Sequence, residues 1–403
     1  MNLSSPTFSV QKPRRVRKRY IIIVGVILAL AILLAFVLSK RVGAPTPHAE
    51  SQSQAQVTEE TPTSVNGKYM FSGTIVLARA VEKYANGDYG QPFSKFSTFN
   101  PKQYDGWLAD WECPSSSKID IPYAQQIANL QFNCRPEWMP EVSKYFTFMN
   151  LANNHSGDLG EETFEETQKH LQKAGIQVVG NYDPAATKDI CEVMTTKVRL
   201  KMPDGSEKKG TLPIAFCAWH YFFRDPAAGE IETMQRYSKI MPVFGLMHVG
   251  VEYVATAGTN QQAVARKIID NGAEFVIGNS PHWVQNTEVY KGKPIIYSTG
   301  NFIFDQLEAE TNRGVSIAVT MKVPYDDNVA KWLALSDQCR GQYDTCLEEA
   351  EKQGLTKINA EFSYAPIANT TGVRTVTQKA PASIQQAVEQ RMNWSKTLKE
   401  LGQ

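Results

Sequence analysis

Leu151-Ala-Asn-Asn-His-Ser-Gly-Asp-Leu-Gly160 follows the apolar run Tyr145-Phe-Thr-Phe-Met149 and precedes a segment of helical periodicity that begins near Glu161. An apolar strand running into Asn-Asn-His-x-x-Asp-x-Gly brings amide, imidazole and carboxylate groups to the strand's carboxyl end. Open α/β sheets hold their ligands there. Neutral imidazole and amide oxygen both ligate divalent metals. The same residues fit a plainer role, in which Asn154 and His155 cap the helix that follows. The rest of the chain has to choose between the two.

Outward from this segment, between Lys68 and Pro324, short apolar runs alternate with amphipathic ones. Strands are expected at Tyr69–Leu77, Tyr145–Leu151, Ile176–Val179, Pro213–Ala218, Val243–His248, Phe275–Ile277 and Pro294–Tyr297. Helices are expected over Glu161–Ala174 and Asn260–Asn271, with Gly175 and Gly272 where a helix stops. Strands alternating with helices imply an α/β core. A hairpin centred on Asp204-Gly205 and a strand near Gly314–Val323 add antiparallel pairing, so the sheet should be mixed. The tail from Lys331 onward offers a helix with a cysteine pair, a strand at Ile358–Tyr364 and a polar helix from Ala382. It is expected to pack on the same core.

Polar groups recur at the expected strand ends. They lie in Ser72–Arg79, in Asp110-Trp-Glu-Cys-Pro114, in Asn153-Asn-His155 with Asp158, and in Met247-His-Val-Gly-Val-Glu-Tyr253. They recur in Gly278-Asn-Ser-Pro-His-Trp-Val-Gln285 and Tyr297-Ser-Thr-Gly-Asn-Phe-Ile-Phe-Asp305. In order and spacing these blocks resemble the CapA family of poly-γ-glutamate capsule synthesis proteins, over about Tyr69 to Val323. The resemblance implies a metallophosphoesterase-like α/β/β/α sandwich with mixed sheets and a divalent metal, Zn, Mn or Mg, in a cleft at the strand ends.

Carried over residue by residue, the resemblance makes Glu112, Asn154, His155, His248 and His282 candidate ligands. Asp110 stands where the family has Asn and keeps an oxygen ligand available. Asp158 and Glu252 stand behind the imidazoles and orient them, and His155 takes the place of a proton donor. Two positions depart from the pattern. Thr74 replaces an expected Asp, and Ser280 replaces an expected His, which leaves ligands for one ion held by Asn154, His248, His282 and Asp110 or Glu112. Elsewhere, His170 reads as solvated. His220, Arg224, Asp225 and the tryptophans Trp107, Trp111, Trp138 and Trp283 read either as cleft-lining or as packing.

The amino terminus reads differently. Residues 20–39 form an uncharged apolar run of the length a bilayer-spanning helix requires, roughly 20 residues. Arg14, Arg15, Arg17, Lys18 and Arg19 precede it, so the heavier basic flank places residues 42–403 outside the cell. Residues 1–19 form the cytoplasmic tail and 42–66 a polar linker too poor in apolar residues to fold. Residues 67–325 form the CapA-like domain, and 326–403 the packed extension. The chain has 42 Lys and Arg, of which eight fall in the first 41 residues, leaving 34 against 41 Asp and Glu. That mildly acidic remainder argues against nucleic acid. All six cysteines lie in the outer region, where disulfides persist. Cys191 with Cys217 and Cys339 with Cys346 are the expected pairs, the second requiring a turn at Gly341, with Cys113 and Cys134 left to each other. Free thiols are the alternative.

Two functions fit. One is a membrane-anchored extracytoplasmic protein of capsule or poly-γ-glutamate synthesis that acts as a metal-dependent hydrolase or transferase. The other is a non-enzymatic accessory protein, binding an anionic envelope polymer or other polymer-synthesis proteins through a degenerate metal site.

Overall fold

The computed structural model describes residues 60–185, 190–221, 229 and 231–403. The expected span at 20–39, the tail 1–19, most of the linker, Arg224 and Asp225 lie outside the described residues. Among the described residues no helix is long and apolar enough to cross a membrane. Residues Glu60–Gln403 form one compact unit.

The strands are β1 (Ser64–Ile75), β2 (Gly106–Trp111), β3 (Phe148–Asn150), β4 (Gln177–Val179), β5 (Cys191–Lys201), β6 (Glu207–Tyr221) and β7 (Val243–Val249). They continue as β8 (Phe275–Asn279), β9 (Thr287–Tyr290), β10 (Lys293–Ile296), β11 (Asn301–Ile303), β12 (Arg313–Pro324), β13 (Glu361–Thr371) and β14 (Thr377–Lys379). All join one mixed sheet that branches at β1. The first half of β1 pairs antiparallel with β12 and β5. Its second half runs parallel to β2 and, past an irregularity, to β11. One limb continues β2–β3–β4 in parallel. The other passes from β5 through β6, β7, β8 and β10, parallel from β6 onward, to the antiparallel edge β9.

Alternation along the strands turns the limbs face to face, because successive side chains point to opposite sides. Phe71 meets Phe216, Phe244 and Phe275 at ring separations of 6.3, 5.8 and 5.4 Å, and Phe148 stacks on Phe216 at 5.1 Å. The alternate residues Met70, Trp107, Ala109 and Met149 point the other way, into a second apolar cluster with Phe96, Phe99 and Phe302. Each buried aromatic contributes about 1.5–3 kcal/mol. Interlocking rings therefore fix how the limbs face each other. The parallel direction then brings the carboxyl ends of β1, β2 and β3 close to those of β7 and β8.

Several boundaries differ from expectation. β1 starts inside the expected linker, because Ser64, Val65 and Asn66 find ladder partners on both sides, in β12 and β5. β3 is shorter than expected. Tyr145 and Phe146 instead donate their N–H groups to Val142 O and close the preceding turn. Asp327–Cys339 and Tyr343–Lys352 divide the expected tail helix, with Gly341 between them at φ +60°. That turn brings Cys339 and Cys346 within 4.6 Å, Cα to Cα, and they are bonded. Cys191 and Cys217 face each other across β5 and β6 and are bonded, as are Cys113 and Cys134. β13 pairs with β12, and Val388, Met392 and Trp394 of the tail helices enter the larger apolar core.

Candidate metal centre

Asp110 lies near the end of β2 and His248 near the end of β7, and neither is more than 2% exposed. The Asp110 Oδ2 atom accepts a 2.7 Å hydrogen bond from His248 Nδ1. Its Oδ1 accepts from the side-chain amides of Asn150 at 3.0 Å and Asn153 at 3.2 Å. Asn153 also donates to Trp111 O, and its own carbonyl accepts from the backbone of His155 and Ser156. Asn153 therefore ties the loop after β3 to the end of β2. No side chain caps the helix Glu161–Lys173, so Asn154 and His155 are not its cap.

With Nδ1 committed to Asp110, His248 presents Nε2, which lies 3.7 Å from Glu112 Oε1. Ligand atoms of Asp110, Glu112 and His248 all lie within 4.8 Å of one another. Glu112 follows β2, is 1% exposed, and lies near the Thr74 hydroxyl, which lowers its pKa. Its Oε2 is buried without a hydrogen-bond partner. The same is true of Asn154 Oδ1. A buried unpaired carboxylate oxygen costs more than about 1–3 kcal/mol, so the pair calls for an explanation.

The other two imidazoles repeat the pattern. His155 Nδ1 lies 2.8 Å from Asp158 Oδ2, and its ring packs on Phe132 at 4.5 Å. His282 Nδ1 lies 2.8 Å from Asn301 Oδ1, with its ring between Tyr253 and Phe304. An amide oxygen only accepts, so His282 donates from Nδ1 and turns Nε2 the other way. Its Nε2 lies 4.0 Å from Glu252 Oε1. The loop that delivers it is strained: Ser280 and His282 have φ of +101° and +57°, a cost usually found where a side chain must be aimed.

Electrostatics tie the three histidines to one carboxylate. Burial pushes Glu112 up, but His248, His282, His155 and the Thr74 hydroxyl outweigh it and hold the group below its ordinary range. Asp110 is raised, since burial and the nearby Glu112 exceed what His248 returns. Burial opposes a charged His248, yet Asp110 and Glu112 raise it above the usual imidazole value. His155 is raised in the same way, by Asp158 and Glu112 against burial.

This donor set fits a divalent ion. It offers one carboxylate and one amide oxygen with nothing to bind, and imidazoles oriented from behind by Asp110 and Asn301. Asp110, expected as a ligand, belongs to the group whose ligand atoms lie close enough together to hold an ion. Both its oxygens are engaged by protein donors, and offering Oδ2 to an ion would break the His248 bond. Thr74 lies near Glu112 and lowers its pKa, and Ser280 Oγ donates to Gly250 O at 3.2 Å.

Other expectations resolve as packing. His220 Nε2 lies 2.8 Å from Tyr182 O. His170, expected to be solvated, instead places Nδ1 3.1 Å from Ser115 O. Trp107, Trp111 and Trp138 are fully buried and serve as core. Sequence reasoning missed Asn150, Asn153 and Asn301 as positioning groups. The signal for Asn153 and Asn301 was their place within the Asn-Asn-His and Tyr-Ser-Thr-Gly-Asn segments; Asn150 lies before the first of these.

The bacterial capsule synthesis protein family PGA_cap has a model that matches residues 68–306, which include every candidate ligand. Over 318 residues the chain is 27% identical to the capsule biosynthesis protein CapA of Bacillus anthracis, covering 74% of this chain and 71% of that one. Over 251 residues it is 27% identical to the PGA biosynthesis protein CapA of Bacillus subtilis, covering 59% and 63%. A probable polyglutamine synthesis accessory protein of Mycobacterium tuberculosis is 29% identical over 170 residues, covering 38% of this chain and 44% of that protein. The chain thus spans about two thirds of the length of the two Bacillus relatives.

Proposed function

We propose, since this chain belongs to the bacterial capsule synthesis protein family PGA_cap of the metallophosphoesterase-like superfamily, that it serves capsule or poly-γ-glutamate synthesis through a metal-dependent cleft. The observation that carries this reading is Glu112, a buried carboxylate with one oxygen unpartnered and three histidines lowering its pKa. Glu112, Asn154, His248 and His282 would hold the ion, with Asp110 and Asn301 keeping the imidazoles in place. A bound divalent ion would polarise a phosphoryl or carbonyl oxygen as a Lewis acid.

The remaining work falls to the chain's own side chains. His155, with Nδ1 on Asp158 and a raised pKa, holds a proton at Nε2 ready for a leaving group. Phe132 covers one face of that ring and keeps water from it. The cleft belongs outside the cell, anchored by residues 20–39. The three disulfides support an oxidising compartment.

A second reading, an accessory protein that binds polymer or partner subunits without turnover, is favoured by Thr74 and Ser280. The Thr74 hydroxyl lies near Glu112 and that of Ser280 donates to Gly250 O, where the family pattern has further ligands. The test is turnover of bis(p-nitrophenyl) phosphate and of oligo-γ-glutamate by the detergent-solubilised full chain, with and without Zn, Mn or Mg. Metal-dependent cleavage that His155→Gln abolishes supports the hydrolase. Polymer binding without cleavage supports the accessory role.

A further inference from the structure

We infer that Arg79 is the anion-recognising residue of this cleft, a subsite for an oxyanion of the substrate, carboxylate or phosphoryl, that lies beside the histidines. The inference rests on the proposed cleft but not on the metal being bound.

Arg79 follows β1 with its backbone in the left-handed region, φ +55°. Its N–H donates to Gln126 Oε1 at 2.9 Å, and Gln126 is itself held by Ile121 O. The guanidinium carbon lies over two rings, 5.5 Å from the centre of Phe132 and 5.6 Å from that of Phe304. Phe132 packs on His155 at 4.5 Å and Phe304 on His282 at 5.3 Å. One aromatic ring therefore separates the guanidinium from each of two site histidines. Its charge reaches the cleft: burial raises the Tyr253 phenol, Glu252 and Glu112 add to the rise, and Arg79 opposes it.

The pairing of Arg79 is incomplete. Nη2 lies 3.0 Å from Asp305 Oδ1, while Nε is buried without a hydrogen-bond partner. Two other arginines among the described residues behave otherwise. Arg266 gives Nε and Nη2 to Glu288 at 2.8 and 2.9 Å, and Arg199 gives both to Asp105 at 3.2 and 2.9 Å. A guanidinium fork matches the two oxygens of a carboxylate or phosphate, and in Arg266 and Arg199 both donors are already engaged. Arg79 is aimed by two rings and a carboxylate, and the protein leaves its buried Nε without a partner. The neighbouring acids Asp110, Glu112, Asp158 and Glu252 would repel an anionic substrate, and a fixed cation offsets that repulsion.

The test titrates the full chain in detergent with γ-glutamyl-glutamate and, separately, with inorganic phosphate. It is run after chelating-resin treatment and again after zinc loading. Arg79→Gln should weaken the favoured anion at least tenfold in both states, with zinc uptake unchanged and the variant still folded, and Arg79→Lys should recover part of the loss. A preference for the dipeptide identifies a carboxylate, and a preference for phosphate a phosphoryl group. Wild-type protein that binds neither anion overturns the inference. So does Arg79→Gln binding within twofold of wild type, or losing anion only together with zinc or fold. Arg79-dependent binding in a wild-type chain that takes up no zinc would instead sink the metal reading and leave this one standing.

Discussion

His248 and Asp110 are joined by a 2.7 Å hydrogen bond between Nδ1 and Oδ2, and neither side chain is more than 2% exposed. Breaking such a buried pair by removing one partner typically costs about 3–5 kcal/mol. Here the loss would also strand the amides of Asn150 and Asn153. Asp110→Ala should therefore destabilise the domain by about 3 kcal/mol in urea unfolding. It should also weaken metal uptake about 10–100-fold by freeing the imidazole to turn. A wild-type unfolding midpoint would show the pair to be dispensable.

Thr74 is the second lever. It sits in register with Asp110 across β1 and β2, and its hydroxyl already meets Glu112. Thr74→Asp adds a carboxylate beside two others, so the metal-free protein should lose stability. Zinc or manganese should restore that loss and raise the bound metal per chain, above all in combination with Ser280→His. Unchanged metal content by mass spectrometry would count against the idea that these positions once completed the site.

Acid stability should report on Glu166 rather than on the cleft. Its carboxylate accepts from Ser116 Oγ, Ser117 N and Ser117 Oγ, and these bonds, working against burial, lower its pKa to about 2. A depressed carboxylate contributes stability that is present above its unfolded pKa and lost as pH falls through the folded one. Glu166→Gln should cost about 1.5–3 kcal/mol at neutral pH, the range of hydrogen bonds to a charged group. The gap to wild type should close as pH drops from about 4.5 toward 2. A gap independent of pH would assign the cost to shape instead of charge.

The disulfides should separate fold from site. The Cys113–Cys134 and Cys191–Cys217 bridges close 21 and 26 residues, for which chain entropy gives about 3 kcal/mol each. Cys191→Ala with Cys217→Ala should lower stability and leave metal affinity intact. Cys113→Ala with Cys134→Ala should lower both, because Cys113 directly follows Glu112. Equal metal affinity in the two double variants would contradict this division.

What the sequence made legible was the chemistry at the strand ends. Asn-Asn-His, His-Val-Gly-x-Glu and Pro-His are dense in polar groups where a plain core would have none, and His155, His248 and His282 do act on one carboxylate. Less legible was which oxygen binds and which one orients. Asp110 and Glu112 sit two residues apart on one strand end, and only the partners across space, His248 with Asn150 and Asn153 against Thr74, tell their roles apart. β2 was hidden for a related reason. Gly106–Trp111 is buried on both faces, so it shows no alternation, and it carries a charged residue that breaks the apolar run. β11 and β14 have three residues each, too few for any period to register.

The most direct measurement is a zinc or manganese titration of the resin-treated full chain by calorimetry, with metal content checked by mass spectrometry. The account expects one ion per chain, with affinity falling at least 100-fold in Glu112→Gln and in His248→Ala while both variants remain folded. A chain that takes up no ion, or a Glu112→Gln variant that binds like the wild type, would contradict it.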